Sequence, residues 1–268
     1  MSALVRLCLT LFTVAVLNLA AAHSMAEGAR TINIATEEYP PYTSEKLPHF
    51  GIDAHIVTEV FRSVGIETIF QFMPGARAIN AAKVGSVDAS LPWAHRAERE
   101  ISFFYPDPVI AVDDEFFFHN AELRFSWDSG KPDYKALAGK SVAAIIGYDY
   151  GTDFQAAEKS GLINVVRVRN LESAFRMLDR DRVNLVISKE RVAQYELSNL
   201  FPDAMNSKFS RTREHHGPMA FDYLIISRKS AHGSFFTKAF NQGMKKLKAS
   251  GRYSEILQDF ADGKYVAR

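Results

Sequence analysis

The chain has 268 residues, with 32 Lys and Arg against 31 Asp and Glu, and 47% of its residues are hydrophobic. This composition is that of a globular protein with a buried core, and it excludes the strongly basic surface of a nucleic-acid-binding protein. The single cysteine, Cys8, excludes an intrachain disulfide framework.

Residues 1–26 have the pattern of a secretory signal peptide. Arg6 precedes an apolar run over 7–19, and small residues follow it. The run is too short and wrongly flanked for a membrane span, and Cys8 comes too early to be a lipidation site. Cleavage after residue 22 and cleavage after residue 26 both fit the small-x-small rule, and the sequence leaves both open. The exported chain is therefore expected to have no thiol and 31 residues of each charge sign.

Hydrophobic periodicity then predicts a first βαβαβ unit. The helix is expected to stop at Gly65, and its apolar residues fall on one face. The predicted elements are a strand over 31–35, a helix over 52–64, a strand over 67–72, a helix over 76–84 and a strand over 87–91.

A second unit of similar length follows a strand-like run at 113–119. Asn170 is expected to cap a helix in which Leu171, Ala174, Phe175 and Leu178 share a face. The predicted elements are a strand over 141–146, a helix over 152–160, strands over 164–168 and 183–187 on either side of the capped helix, a strand over 221–227, and helices over 234–247 and 253–260. Two such units indicate two open α/β lobes with mostly parallel sheets, and ligands bind such sheets beyond the carboxyl ends of their strands.

The stretch SLPWAHRAEREISFFYPDPV follows the predicted strand at 87–91. Trp93 and Arg99 place an aromatic ring and a guanidinium just beyond a strand end, which suits the floor of a site for a carboxylate. The alternative is a solvated charged turn, since many surface charge clusters have no function.

The run AEREISFFYPDPV resembles the T-P-E-R-x-K-x-x-x-F-S-x-P-[YIV] segment of bacterial extracellular solute-binding proteins of family 3. The resemblance covers roughly residues 31–263 and implies a two-lobed type II periplasmic-binding-protein fold, in which Arg99 holds the carboxylate of the ligand. It also implies the domain boundaries: a signal peptide over 1–26, a first lobe from 27–113 and 217–268, and a second lobe over 114–216. The two hinge crossings are expected near 113–117 and 213–222.

Three further segments resemble cleft-lining segments of the family. EEYPPY is similar to x-x-P-P-[YF], which implies ligand contacts by Glu38, Tyr39 and Tyr42; the alternative is that the tyrosines pack a proline-rich turn. PGARA corresponds to P-W-x-R-A, so that Arg77 either reaches the cleft or caps its helix. GYDYG resembles a turn before a helix start, which is an anion-binding element. We expect this turn to line the second-lobe wall with Tyr148, Tyr150 and Thr152, the alternative being a glycine-rich turn with exposed tyrosines.

The sequence also departs from the family pattern. The signature around residue 53 appears as GIDAHI, and the hydroxyl residues expected before the family arginine are replaced by Pro92, Ala94 and Arg96. RVNLVISKE aligns with R-V-D-A-V-V-V-D and has Lys189 where the family aspartate binds an α-ammonium group. Two like charges a few ångströms apart repel by about 1 kcal/mol even in water.

Lys189 is therefore expected to face Arg99 across the cleft and to favour anionic or aromatic solutes over zwitterionic amino acids. The alternative is that Lys189 forms a salt bridge with Glu190 or Glu38.

The leading functional prediction is a monomeric periplasmic receptor that closes over a small polar solute bearing a carboxylate and delivers it to an inner-membrane ABC permease. No enzyme activity, cofactor, metal site, nucleic acid or stable membrane insertion is expected. One alternative is a dehydratase-like enzyme with Glu38, Glu190 or the pair His215–His216 as its acid–base groups, although the chain has no Walker, HExxH or GxSxG motif. The other alternative is a sensory or accessory protein on the same fold.

Overall fold

The computed structural model describes residues 31–112, 115–121, 133–148, 150–212 and 220–265. In chain order its strands are β1 (Thr31–Thr36), β2 (Glu67–Phe72), β3 (Ala89–Trp93), β4 (Phe103–Phe104), β5 (Ile110–Val112), β6 (Glu115–Asn120), β7 (Ser141–Ile145), β8 (Asn164–Val168), β9 (Leu185–Lys189), β10 (Phe209–Arg211) and β11 (Ala220–Ser227). Its α-helices are α1 (Ile52–Arg62), α2 (Gly75–Val84), α3 (Gly151–Lys159), α4 (Leu171–Asp179), α5 (Glu190–Leu200), α6 (Met205–Lys208), α7 (Gly233–Ala249) and α8 (Arg252–Ala261). Short 3₁₀ helices lie at Pro48–Phe50 and Ala97–Ile101.

The first sheet has the strand order β2-β1-β3-β11-β4, and β5 also pairs with β11. β1 is parallel to β2 and β3, whereas β11 is antiparallel to β3, β4 and β5. We call this sheet, with α1, α2, α7 and α8, the first lobe. The chain leaves it after β5 and returns to it with β11.

The second sheet has the order β10-β6-β9-β7-β8. β7 is parallel to β8 and β9, and β6 and β10 add antiparallel strands on the other side. We call this sheet, with α3 to α6, the second lobe. Each lobe thus has a parallel three-strand centre extended by antiparallel strands, which confirms the prediction of two α/β lobes. Residues 113–114 and 213–219 of the predicted hinge crossings lie outside the described residues.

Most predicted elements are present, and the differences fall near the cleft. β3 and β9 end two residues later than the predicted strands at 87–91 and 183–187, so that Trp93 and Lys189 are the last residues of their strands. α5 follows β9 directly and was not predicted. Asn170 caps α4 as expected, because its side chain accepts a hydrogen bond from the Ser173 N–H at 2.9 Å.

The start of α5 packs on the first lobe as well as on its own, in which Ala193 is buried. Val192 is 5% exposed and belongs to the hydrophobic core of the first lobe. The Arg191 guanidinium lies 4.7 Å from the centre of the Phe260 ring in α8. Leu171, the first residue of α4, packs against the cores of both lobes. The two lobes are therefore in apolar contact beside the strand ends.

His55, one of the departures from the family signature, is a buried residue of α1. Its ring stacks on His49 with 3.9 Å between the ring centres, and its Nδ1 forms a hydrogen bond with the Tyr265 hydroxyl. Burial lowers the pKa of His55 to about 4, with a smaller contribution from the neighbouring His49. His55 is therefore neutral near pH 7, and its role in the fold is structural.

Candidate functional site

Four strands deliver side chains to the edge where the lobes meet. In the first lobe, β1 is followed by Glu37 and β3 ends at Trp93. In the second lobe, β7 is followed three residues later by Tyr148, and β9 ends at Lys189. Because the carboxyl ends of parallel strands share one edge of a sheet, these residues border the cleft between the lobes.

Lys189 crosses from the second lobe into a surface formed by the first. Its Nζ donates to Asp222 Oδ1 at 3.1 Å, and the two side chains are 12% and 4% exposed. The same ammonium lies 5.6 Å from the ring centre of Tyr39 and 5.4 Å from that of Tyr42. We call the surface formed by Tyr39, Tyr42 and Asp222 the Lys189 cage. It combines a carboxylate with two aromatic rings, both of which attract a cation.

Asp53, in the first turn of α1, is a second acid beside this ion pair. It is fully buried, and this burial, together with the negative charge of Asp222, raises the pKa of Asp53 well above its ordinary value; the positive charge of Lys189 opposes the rise. The neutral form of Asp53 is therefore favoured in the folded protein. The ion pair in the cage is between Lys189 and Asp222, with Asp53 as a buried neighbour.

Glu37 forms a further polar contact between the lobes, with Tyr148. Burial raises the pKa of its carboxyl to about 7, against hydrogen bonds from Tyr148 and from the backbone of Gly75 that lower it. The pKa of Tyr148 is raised well above its ordinary value by burial and by Glu37. Gly75 is the first residue of α2, so Glu37 lies at a helix N-terminus, where backbone N–H groups favour an acid.

The backbone at Gly75 passes close to the Glu37 carboxyl. A methyl group added at Gly75 would lie 2.5 Å from Glu37 Oε2, nearer than atoms can come. A methyl group added at Gly147, beside Tyr148, would lie 3.8 Å from Ala76. The glycine at position 75, where the family often has tryptophan, therefore leaves the room that the Glu37 carboxyl occupies.

The predicted residues of the EEYPPY loop occupy different places. Glu38 is exposed, and its Oε1 accepts the N–H of Glu45 at 2.9 Å, so it stabilises its own loop. Tyr39 stacks on Tyr42 with 5.7 Å between ring centres, and its edge meets Tyr148 at 6.1 Å. The tyrosines thus both pack the turn and form the first-lobe wall of the cleft.

Arg99 lies in the 3₁₀ helix after β3, and its contacts are with its own segment. Its Nη1 donates to the carbonyl of Ala94 at 3.2 Å, and its guanidinium carbon is 5.2 Å from the centre of the Trp93 ring. The Trp93 Nε1 in turn donates to Ser90 Oγ at 2.8 Å. Arg99 remains partly exposed. The prediction that Lys189 faces Arg99 across the cleft does not describe the contact at Lys189, because its ammonium is paired with Asp222.

The remaining predicted site residues are Arg77, Tyr150 and Thr152. Arg77 and Thr152 are exposed near the starts of α2 and α3. Tyr150 is 4% exposed, and its hydroxyl accepts the Ile145 N–H at 2.8 Å, which ties the GYDYG turn to the end of β7. Lys189 pairs with Asp222 rather than with the alternative partners, Glu190 and Glu38. Glu190 pairs with Arg211 at 2.9 Å.

Sequence reasoning missed Glu37, Asp53 and Asp222. A signal existed for two of them: Asp53 lies in the first turn of a strongly apolar helix, and Asp222 interrupts the apolar run FDYLIIS. A buried acid in such a run requires a partner. Nothing in the sequence distinguishes Glu37 from the adjacent Glu38.

The described residues contain neither a cluster of metal ligands nor a membrane-spanning helix. Across those ranges, no group of three or more His, Cys, Asp and Glu is arranged to hold a metal ion. In the same part of the chain, every helix is too short or too polar to cross a lipid bilayer. The pair His215–His216 and the predicted signal peptide at 1–26 lie outside the described residues.

Comparison with solved structures gives the same two-lobed fold. An ancestral arginine-binding protein bound to arginine superposes with a TM-score of 0.71 at 19% identity, covering 86% of this chain and 97% of that one. A structure from work on glutathione import through GshT and the cystine ABC importer TcyBC of Streptococcus mutans has a TM-score of 0.72 at 16% identity, covering 89% and 98%. A histidine kinase sensor domain with similarity to periplasmic binding proteins has a TM-score of 0.71 at 15% identity, covering 86% and 95%. The fold is thus the type II periplasmic-binding-protein fold.

No curated protein matches the chain significantly. The sequence profile of the bacterial extracellular solute-binding proteins, family 3, matches residues 32–263, which is most of the chain. The chain therefore belongs to family 3 of the bacterial extracellular solute-binding proteins.

Proposed function

We propose that this protein is a periplasmic receptor that closes its two lobes over a small polar solute carrying a carboxylate, and that it presents the solute to an inner-membrane ABC-type permease. The observation that carries the proposal is the meeting of the strand ends of both lobes, where Lys189 and Tyr148 reach groups of the opposite lobe. A solute that contacts both lobes favours the closed state by its extra affinity for that state.

Arg99 supports the carboxylate part of the proposal. It stands just beyond the end of β3, its position is fixed by Trp93 and Ala94, and it is partly exposed at the cleft edge. A guanidinium has five N–H donors, so the hydrogen bond to Ala94 leaves others that can bind a carboxylate in a fork geometry. Two of the similar solved structures concern arginine binding and glutathione or cystine import, which are solutes of this chemical kind.

A screen of folded-state stabilisation tests the proposal, because a ligand that binds only the folded protein raises the melting temperature. Amino acids, organic acids and aromatic acids are the probes, followed by calorimetry on any that stabilise. Arg99→Ala should weaken binding of such an acid by about 2–4 kcal/mol. Arg62→Ala is the matched control, since Arg62 is an exposed arginine paired with Glu59 on α1.

Failure of the whole panel to stabilise the protein would contradict the proposal. Unchanged affinity in a folded Arg99→Ala variant would remove Arg99 from the site while leaving the receptor function in place. Export is tested separately. Protein recovered from the periplasm should begin near residue 23 or 27 and contain no thiol, because the only cysteine is Cys8.

A further inference from the structure

The Lys189 cage is built from one lobe, and the cation in it comes from the other. Tyr39 and Tyr42 belong to the loop after β1, and Asp222 belongs to β11, whereas Lys189 ends β9. The Lys189 side chain is 12% exposed, and its ammonium has a carboxylate oxygen at 3.1 Å and two ring centres at 5.4 and 5.6 Å. A carboxylate combined with aromatic faces is the chemistry by which proteins bind ammonium groups of separate molecules.

The buried acid Asp53, beside the cage, distinguishes the Lys189–Asp222 pair from an ordinary surface ion pair. Asp53 and Asp222 place two carboxyl groups together at full or nearly full burial, against one lysine. Among the described residues, neither carboxyl oxygen of Asp53 has a hydrogen-bond partner, and Oδ2 of Asp222 has none either. The first lobe thus presents a buried, acidic, aromatic surface to the tethered ammonium of Lys189.

We propose that Lys189 is an internal ligand: its ammonium fills the cation-binding part of the first-lobe surface, so the cleft selects solutes that carry no ammonium group at this position. The statement about solutes rests on the proposed receptor function. Occupation of the cage by the Lys189 ammonium is a property of the folded chain alone and is tested without any solute.

Two physical effects make the tethered group exclude a free one. The side chain holds its ammonium beside the cage at a high effective concentration, which a free amine has to overcome. A free ammonium placed next to Lys189 would also meet a like charge in a region sheltered from water, where repulsion exceeds its value in bulk solvent. An acid without an amino group meets neither obstacle.

Chemical rescue tests the cage. Lys189→Ala removes three methylene groups and the terminal ammonium group. The n-propylammonium ion has the same three carbons and ammonium group, so it closely replaces what is removed. The variant should melt roughly 10 °C below the unmodified protein, since one buried charge is left without its partner. Added n-propylammonium chloride should restore much of the melting temperature in a saturable way, relative to potassium chloride at equal ionic strength.

Three comparisons make the result specific. Lys189→Met fills the cage with an apolar chain of similar length, so n-propylammonium should not stabilise it. The unmodified protein should not respond, because its cage is occupied. Lys208→Ala should not respond either, although Lys208 also forms an ion pair, with Asp179, at the surface. Absence of rescue in folded Lys189→Ala, or equal rescue in Lys189→Met, would overturn the assignment.

A matched pair of probes tests the consequence for solutes. Glutarate and L-glutamate differ only in the α-amino group, as do 3-phenylpropanoate and L-phenylalanine. In the unmodified protein the acid without the amino group should bind more tightly, and in Lys189→Ala this preference should shrink on the order of tenfold or reverse. Tighter binding of the amino acid to the unmodified protein would refute the selection. Rescue by n-propylammonium with no solute bound would support the cage and count against the receptor function.

Discussion

The Lys189 cage and the Glu37–Tyr148 contact join the lobes at the same edge of the two sheets, but they use charge in opposite ways. In the cage Lys189 and Asp222 form an ion pair, with 3.1 Å between the ammonium and a carboxylate oxygen. At the other contact, burial raises the pKa of the Glu37 carboxyl to about 7. Below that pH the carboxyl is mostly protonated, so its hydrogen bond with Tyr148 joins two uncharged groups. A substitution that removes a charge should therefore act mainly on the Lys189 cage, whereas a change of pH should act mainly on the Glu37–Tyr148 contact.

The largest expected effect comes from removing the counter-charge in the cage. Asp222→Asn leaves the Lys189 ammonium buried without a carboxylate and should lower the free energy of unfolding by about 3–5 kcal/mol. Asp53→Asn should cost less, because burial and Asp222 raise the pKa of Asp53 and so favour its neutral form, which an asparagine resembles. Urea denaturation measures both.

Asp179→Asn is the matched control, since it removes the partner of Lys208 from an exposed pair, where about 0–1 kcal/mol is expected. Equal losses in Asp222→Asn and Asp179→Asn would show that the cage is no more than a surface ion pair.

The second effect concerns pH and belongs to Glu37. Its folded-state pKa of about 7 lies above the ordinary value of 4.5, so the stability gained from its protonated form is complete below pH 4.5 and is lost as the pH rises to about 7. The excess stability of the unmodified protein over Glu37→Gln should therefore fall by about 3 kcal/mol across this window. Denaturation at a series of pH values measures it.

His55 gives a control of opposite sign for that experiment. Its folded-state pKa is about 4 against an ordinary 6.5, so its contribution is complete above pH 6.5 and is lost as the pH falls towards 4. His55→Gln should therefore lose most, relative to the unmodified protein, on the neutral side of the window. A pH-independent difference between the unmodified protein and Glu37→Gln would show that Glu37 is solvated.

A third, smaller effect should follow from Gly75→Ala. The added methyl group would meet Glu37 Oε2 at 2.5 Å and force the carboxyl from the start of α2. We expect a loss of about 1–2 kcal/mol, because the overpacking is partly offset by the helix preference of alanine. In a Glu37→Ala background the same substitution should be neutral or stabilising. A loss that persists in that background would place the clash elsewhere.

The smallest effect should come from one wall of the cage. Tyr39→Leu keeps apolar contact but removes the ring face 5.6 Å from the Lys189 ammonium, for an expected loss of about 0.5–1 kcal/mol. A double-mutant cycle with Lys189→Met isolates the ring–cation part from packing against Tyr42. Additive losses in the two variants would show that ring and ammonium do not interact.

The sequence predicts the lobes well and the cleft contacts poorly, for physical reasons. Periodicity is a local property, and it identifies the strand at 67–72 and the cap at Asn170 correctly. It misses α5, because ERVAQYELSNL begins directly at the strand end without a loop residue to separate them. The partner of Lys189 lies 33 residues away, and choosing Asp222 over Glu190 requires the three-dimensional path of the chain.

The same limit explains Glu37 and Glu38. The two residues have the same side chain at adjacent positions of a loop, and Glu37 is partly buried against the second lobe while Glu38 is exposed. Only the exit direction of the chain after β1 decides between them. Local pattern carries no information about that direction.

Val192 gives the fold a further property. A side chain from a second-lobe helix that lies in the first-lobe core makes apolar contact part of the closed arrangement. Opening the cleft requires either that the first turn of α5 stay behind with the first lobe or that Val192 enter water. In the second case, the proposed closure over a solute would bury apolar surface between the protein's own groups as well as against the solute. Its thermodynamic signature would be a negative heat-capacity change larger than the solute's surface alone would give.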